Sequence, residues 1–145
     1  MEQGKGFNWF QFGDNDLASA KFLLGMHPQP LEQICFLCHQ SAEKYLKAFL
    51  IFNGMDDFPK THDLVMLYKL CMAYDERFKK IKIECVALTE YGVAARYPDE
   101  IYVDEGLMKK ALVYAGHIKE CEPLMETRQE LEQSLEEEDE PEIGD

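Results

Sequence analysis

The sequence has no excess of positive charge, no long apolar run and no even set of cysteines, and each absence removes a class of protein. Lysine and arginine number 15 against 28 acidic residues, a formal net charge of −13. A protein that holds nucleic acid by its backbone needs a basic face, because neutralising phosphates supplies most of that binding. Broad DNA binding is therefore not expected, and any contact with a nucleotide or RNA must be local. No apolar run approaches the roughly 18 residues that would suggest a membrane span. Met1 to Gly6 is polar and does not read as an export signal. The five cysteines (Cys35, Cys38, Cys71, Cys85 and Cys121) are an odd number, and most fall on apolar helical faces. They read as free buried thiols in a reducing, cytoplasmic setting. Neither an internal repeat nor a useful length of strand-like alternation is present.

The 145 residues suit one domain, and 46% of them are hydrophobic, enough for a core without metal or disulfide. The acidity is uneven. From Arg128 onward nine acids face one base, which leaves 19 acids and 14 bases in residues 1–127. The run Glu136–Glu140 repels itself and has almost nothing to bury. The reading is a folded body over 1–127 and an acidic, disordered tail over 128–145.

What is present in quantity is helical periodicity. Leu31, Ile34, Cys35, Cys38, Ala42, Tyr45, Leu46 and Phe49 repeat at the three-and-four spacing of one helix face. Pro30 precedes that helix, and Gly54 follows where a left-handed stop is wanted. An earlier helix is expected over Trp9–Leu24, with Phe10, Leu17, Ala20 and Leu24 inward. A short helix follows Thr61, which can cap its free amides. Asp75 can cap a fourth, striped by Phe78, Ile81, Cys85, Leu88, Gly92 and Ala95 and stopped before Pro98. Asp104 opens a last helix carrying Leu107, Ala111, Tyr114, Ile118, Cys121 and Met125. About five helices with short connections predict an all-α, up-and-down helical bundle.

Three polar constellations could carry chemistry. Gln40, Glu43, Lys44 and Lys47 lie three, four and seven apart, one ridge expected to be exposed. The lysines offer charge to phosphate and Gln40 an amide to a base, or else the face is merely solvated and carries a Glu43–Lys47 pair. Lys60-Thr61-His62-Asp63 opens a helix, whose first-turn amides favour anions. His62 can exchange a proton near neutral pH, or His62 and Asp63 only complete a cap. Arg96-Tyr97-Pro98-Asp99 ends a helix, with a guanidinium able to grip phosphate and a ring able to stack or to pack. Cys35-x-x-Cys38-His39 has the spacing of haem attachment, but both thiols fall on the core stripe. No second Cys/His pair completes a zinc set, so neither metal nor cofactor is expected.

Taken in order, these segments resemble a known family. Asp16-Leu17-Ala18-Ser19-Ala20, Gln40-Ser41-Ala42-Glu43-Lys44-Tyr45-Leu46-Lys47-Ala48, Thr61-His62-Asp63-Leu64 and Arg96-Tyr97-Pro98-Asp99 are similar to the successive motifs of the HEPN (higher eukaryotes and prokaryotes nucleotide-binding) domain, over residues 9–125. The resemblance implies a helical bundle, commonly a homodimer, with a site around its second and fourth helices. Gln40, Lys44, Lys47, His62, Asp63, Arg96 and Tyr97 are the ligand-binding candidates, and among them the resemblance favours Lys44, Arg96 and Tyr97. Many family members are metal-independent endoribonuclease toxins that use an arginine and a histidine four to six residues further on. Others bind nucleotides or pair with a minimal nucleotidyltransferase in a toxin–antitoxin-like module. Here Arg96 is followed through Val103 without a histidine. The expectation is a non-catalytic or weakly catalytic protein that binds a nucleotide or RNA end beside a nucleotidyltransferase partner. The alternatives are a ribonuclease using Arg96 with His62 or Asp99, and a plain protein-interaction bundle.

Overall fold

The computed structural model of the chain describes the backbone of residues 2–55, 57–58, 60–96 and 102–139, and the side chains of 5–55, 57–58, 60–92 and 102–137. Six α-helices account for most of it: α1 (Glu2–Phe22), α2 (Leu31–Phe52), α3 (Leu64–Tyr74), α4 (Lys82–Arg96), α5 (Glu105–Lys119) and α6 (Glu122–Asp139). Two 3-10 segments, Leu23–Gly25 and Glu76–Ile81, join α1 to its loop and lead into α4. No strand occurs among the described residues. The all-α bundle expected from the periodicity is the fold found.

Helix α2 is the axis. Its predicted stripe is buried from Ile34 to Phe49, and so are Ser41, Glu43, Ala48, Leu50 and Ile51, because α1, α3, α4, α5 and α6 all pack on it. A helix covered on most sides must be apolar on most sides. Gly54, at φ +89°, closes it as the sequence predicts. Helix α1 lies antiparallel to α2: Gly6 is close to Ala48 and Ile51, whereas Gly13 meets the Tyr45 ring. A Cβ on Gly13 would fall 2.6 Å from that ring, so the close approach of the two helices depends on glycine. Ser41 Oγ donates to the Gly13 carbonyl at 2.7 Å at the same crossing.

Several boundaries differ from expectation, each for a local reason. Helix α1 begins at Glu2, a full seven residues before Trp9. Asp75 caps the 3-10 segment, accepting from the Arg77 amide, and that segment runs directly into α4. The expected last helix is two. Pro123 lacks an amide hydrogen and its ring clashes with the carbonyl four residues back, so α5 stops at Lys119 and α6 restarts with Pro123 in its tolerant first turn. Met125, expected inward, is 52% exposed as a result.

Helix α6 also runs across residue 127, where the acidic tail was expected to begin. Helix α6 continues to Asp139 because Arg128 and Leu131 have places to go. Leu131 is fully buried beside Gly6, and the Arg128 guanidinium makes two hydrogen bonds to Asp14 at 2.8 and 2.9 Å. Beyond them the acidic face is solvated as its composition suggests: Glu132, Glu136 and Glu137 are exposed.

Candidate functional site

The polar ridge of α2 is not the open face that its spacing suggests. Glu43 is only 5% exposed, and Gln40, Lys44 and Lys47 are half-buried. Two neighbours cover the ridge. On one side α1 supplies Asp16, which forms an ion pair with Lys44, and Trp9, whose ring centroid lies 5.6 Å from the Lys47 ammonium. On the other side the loop before α3 supplies Phe58, 5.2 Å from the same ammonium, and His62. Lys47 also pairs with Glu43 one turn back, at 3.4 Å. A carboxylate this buried is tolerated only when its charge is matched, and Lys47 matches it.

His62 is set from two directions. Its carbonyl oxygen lies 2.7 Å from Nε2 of the buried His39; a carbonyl can only accept, so that nitrogen carries a proton. Its own ring Nδ1 lies 3.3 Å from Glu43 Oε1, while the side chain remains 59% exposed. The ring is therefore steered by a buried carboxylate yet open to solvent. His39 is held in turn by α4: a Cβ on Gly92 would stand 2.7 Å from its ring.

Asp63 makes the helix cap that its place before α3 allowed. Its Oδ1 accepts from the Val65 amide at 2.9 Å and caps α3, while its own amide donates to Thr61 Oγ1. The Leu64 amide donates to Thr89 Oγ1 of α4, and the Leu67 amide to the Asp63 carbonyl. Two first-turn amides of α3, those of Leu64 and Val65, thus have protein acceptors, and Asp63 is its cap. Those same bonds bring α3, α4 and His62 together.

Arg96 is the last residue of α4, one turn beyond Gly92 on the same helix face, and its backbone alone is described. Tyr97 and Asp99 lie outside the described residues. The structure therefore assembles Glu43, Lys47 and His62, sets Lys44 against Asp16 beside them, and links α4 to His62 through His39.

Sequence reasoning missed two features. Trp9 and Phe12 are three apart on α1, with Asp16 a further four on, so all three share the face that borders the ridge. Phe12 and Phe58 each meet Trp9 edge-on, at centroid distances of 6.1 and 6.3 Å. The other is Asp14, which accepts from Tyr45 at 2.6 Å and from Arg128, and lies 3.6 Å from Lys119. Burial alone would raise its pKa, but the hydrogen bonds from Arg128 and Tyr45 and the two positive charges outweigh it and hold Asp14 below the usual range.

Comparison with protein families decides what this bundle is: the model of the HEPN domain matches residues 8–136. The chain belongs to the HEPN family. A comparison with curated proteins found no match to it, and a comparison with solved structures found none either. The HEPN match runs past residue 127 into α6, as the packing of Arg128 and Leu131 does. Membership supports a nucleotide- or RNA-related role in general terms.

Within this HEPN domain the cysteines are poor nucleophiles. Burial pushes the Cys35 and Cys38 thiols up to about 12, so C-x-x-C-H here is core packing. No group of three or more His, Cys, Asp or Glu among the described residues could hold a metal ion, and no helix among them is long and apolar enough to cross a membrane. A separate cavity of about 340 Å³ is bordered by Arg77, Glu84, His117 and Cys121. Within its lining Arg77 pairs with Glu122 and His117 with Glu84, and Arg77 also reaches Asp75 and Glu126 outside it.

Proposed function

We propose that this HEPN domain binds a nucleotide or an RNA end, with little or no cleavage, in the groove formed by α2, the turn before α3 and the end of α4. The observation that carries this reading is the fixed, exposed His62, clamped through its carbonyl by His39 and through its ring by Glu43. An imidazole held in place spends less entropy on meeting a ligand than a free one. Gln40, Lys44, Lys47, Arg96 and Tyr97 complete the proposed binding set. Two physical arguments favour binding over turnover. Lys44 and Lys47 already face Asp16 and Glu43, so little uncompensated charge is left for a phosphorane-like transition state. No histidine follows Arg96 through Val103. In this reading the protein works in the cytoplasm as a homodimer, beside a minimal nucleotidyltransferase, in a toxin–antitoxin-like module.

Thermal shift with nucleotides and short RNAs tests the proposal. A ligand at a hundred times its dissociation constant adds about 2.7 kcal/mol to the folded state, which His62→Ala and Arg96→Ala should abolish. A well-folded wild type that shifts with none of them would replace this reading with a protein-interaction bundle. Co-purification with a co-expressed nucleotidyltransferase tests the partner.

One observation favours a second reading. Glu43 on Nδ1 of an exposed His62 is the arrangement that orients an imidazole for proton transfer. With Arg96 on the phosphate, and Asp99 or His62 as base, RNA could be cleaved by its own 2′-hydroxyl. Cleavage that persists in EDTA and is lost in both Arg96→Ala and His62→Ala would establish it. Cleavage surviving Arg96→Ala would assign the activity to a contaminant.

A further inference from the structure

We infer that Phe12, Trp9 and Phe58 form a stacking platform for an unpaired nucleobase, so that the ligand of the α2 groove is recognised by its base as well as by its phosphate. The inference rests on the proposed nucleotide-binding reading and names the part of the ligand that this face takes.

Three observations converge on it. Phe12 is 50% exposed, whereas Phe10 of the same helix is 1% exposed. The Phe12 ring is not needed to seal the core. Trp9 meets Phe12 and Phe58 at interplanar angles of 79° and 82°, so neither pair is stacked face to face. Finally, the aromatic residues do not stand in an apolar surround. Lys47 places its ammonium within 5.6 Å of the Trp9 centroid and 5.2 Å of the Phe58 centroid, and Asp16–Lys44 and Glu43–His62 flank them.

That mixture discriminates among ligands. A lipid chain or an apolar peptide would cover the rings but strip water from two ion pairs and an imidazole, a cost with no return. A nucleobase has a π-face for the rings, donors and acceptors along its edge for Lys44, Asp16 or Gln40, and a phosphate on its sugar within reach of His62. Stacking on aromatic side chains is also tolerant of base identity. It supplies attachment that this acidic chain cannot obtain from charge.

Trp9 is the only tryptophan of the chain, so its fluorescence reports on this face alone. The probes are adenosine 5′-monophosphate, a five-residue oligoadenylate RNA, and ribose 5-phosphate, which keeps sugar and phosphate without a base. Quenching by either adenine-bearing probe and not by ribose 5-phosphate is the expected result. Response to the mononucleotide indicates a free nucleotide, and response to the oligomer alone indicates an RNA end. Phe12→Ala, checked for an unchanged melting temperature, should weaken binding by roughly ten- to a hundredfold, and Phe12→Tyr should restore it. If all three probes bind equally well, or Phe12→Ala binds as tightly as wild type by equilibrium dialysis, the stacking inference is overturned and the groove reading stands. If no base-bearing probe binds by either method, both fall. If Phe12→Ala spares nucleotide binding and instead releases a co-purified nucleotidyltransferase, the platform is a protein contact and the inference is likewise overturned.

Discussion

His62 illustrates how a residue's neighbours decide its meaning. In sequence it stood beside Asp63, and a shared capping role was one reading. In space Asp63 alone caps α3, while His62 turns away to Glu43, 19 residues earlier in the chain. The spacing of Gln40, Glu43, Lys44 and Lys47 correctly placed them on one ridge. It could not show that Asp16, 28 residues before Lys44, would lie across from it, since periodicity along one helix carries no record of what packs there. Gly92 is the least conspicuous contributor to this geometry, because its missing side chain is what seats the His39 ring. His39 is 1% exposed and has nowhere to retreat. Gly92→Ala should therefore displace it, costing about 1–3 kcal/mol by overpacking and loosening the clamp on the His62 carbonyl. Chemical denaturation would show the loss of stability, and ligand affinity should fall alongside it. A variant as stable as wild type would mean that the α2–α4 contact yields easily.

At the scale of elements, the helices were legible wherever an apolar stripe met clear punctuation. Leu31 to Gly54 is the plainest case, with a proline ahead, a stripe within and a left-handed glycine behind. The α5–α6 break was written in the sequence as Pro123 but was obscured by a stripe that continued in phase through Cys121 to Met125. Helix α6 was hidden for another reason. Its acidic composition argues for solvation, whereas Arg128 and Leu131 hold it to α1. Those two contacts make a prediction about length. Removal of residues 128–145 should cost several kcal/mol, combining about 2–5 for the buried leucine with a lost charge-assisted pair. A fall in melting temperature of that order, well beyond the effect of removing 140–145 alone, is the outcome to look for. Equal stability of the two truncations would return α6 to the status of a tail.

Across the whole molecule, charge is organised into small closed sets within a strongly acidic chain. Arg77 gathers Asp75, Glu122 and Glu126 from two elements, and its hydrogen bonds draw the Asp75 and Glu126 carboxyls below their usual range. Asp14 gathers Tyr45, Lys119 and Arg128 from α2, α5 and α6. A carboxylate lowered on folding contributes stability above the unfolded pKa, about 3.9 for aspartate, and loses it as pH falls through the lower folded value. The wild type should therefore resist acid down to about pH 4 and weaken below it. Asp14→Asn should be less stable than wild type near pH 7, and the difference should shrink steadily below about pH 4. Urea midpoints measured at a series of pH values would show the two curves converging. A gap that stayed constant would mean that the pairing around Asp14 contributes nothing through its charge.

The Asp14–Arg128 bond spans 114 residues, and this has a bearing on how the protein is made. On a translating ribosome, α1 and α2 emerge first and can form their glycine-seated hairpin early. Until α5 and α6 follow, however, the half-buried Asp14 carboxylate has Tyr45 but neither Lys119 nor Arg128, and the Leu131 side of Gly6 stands open to water. Only when α6 appears do a guanidinium and a leucine arrive to close both. Nascent chains stalled before Arg128 should accordingly be the ones that chaperones hold and proteases find.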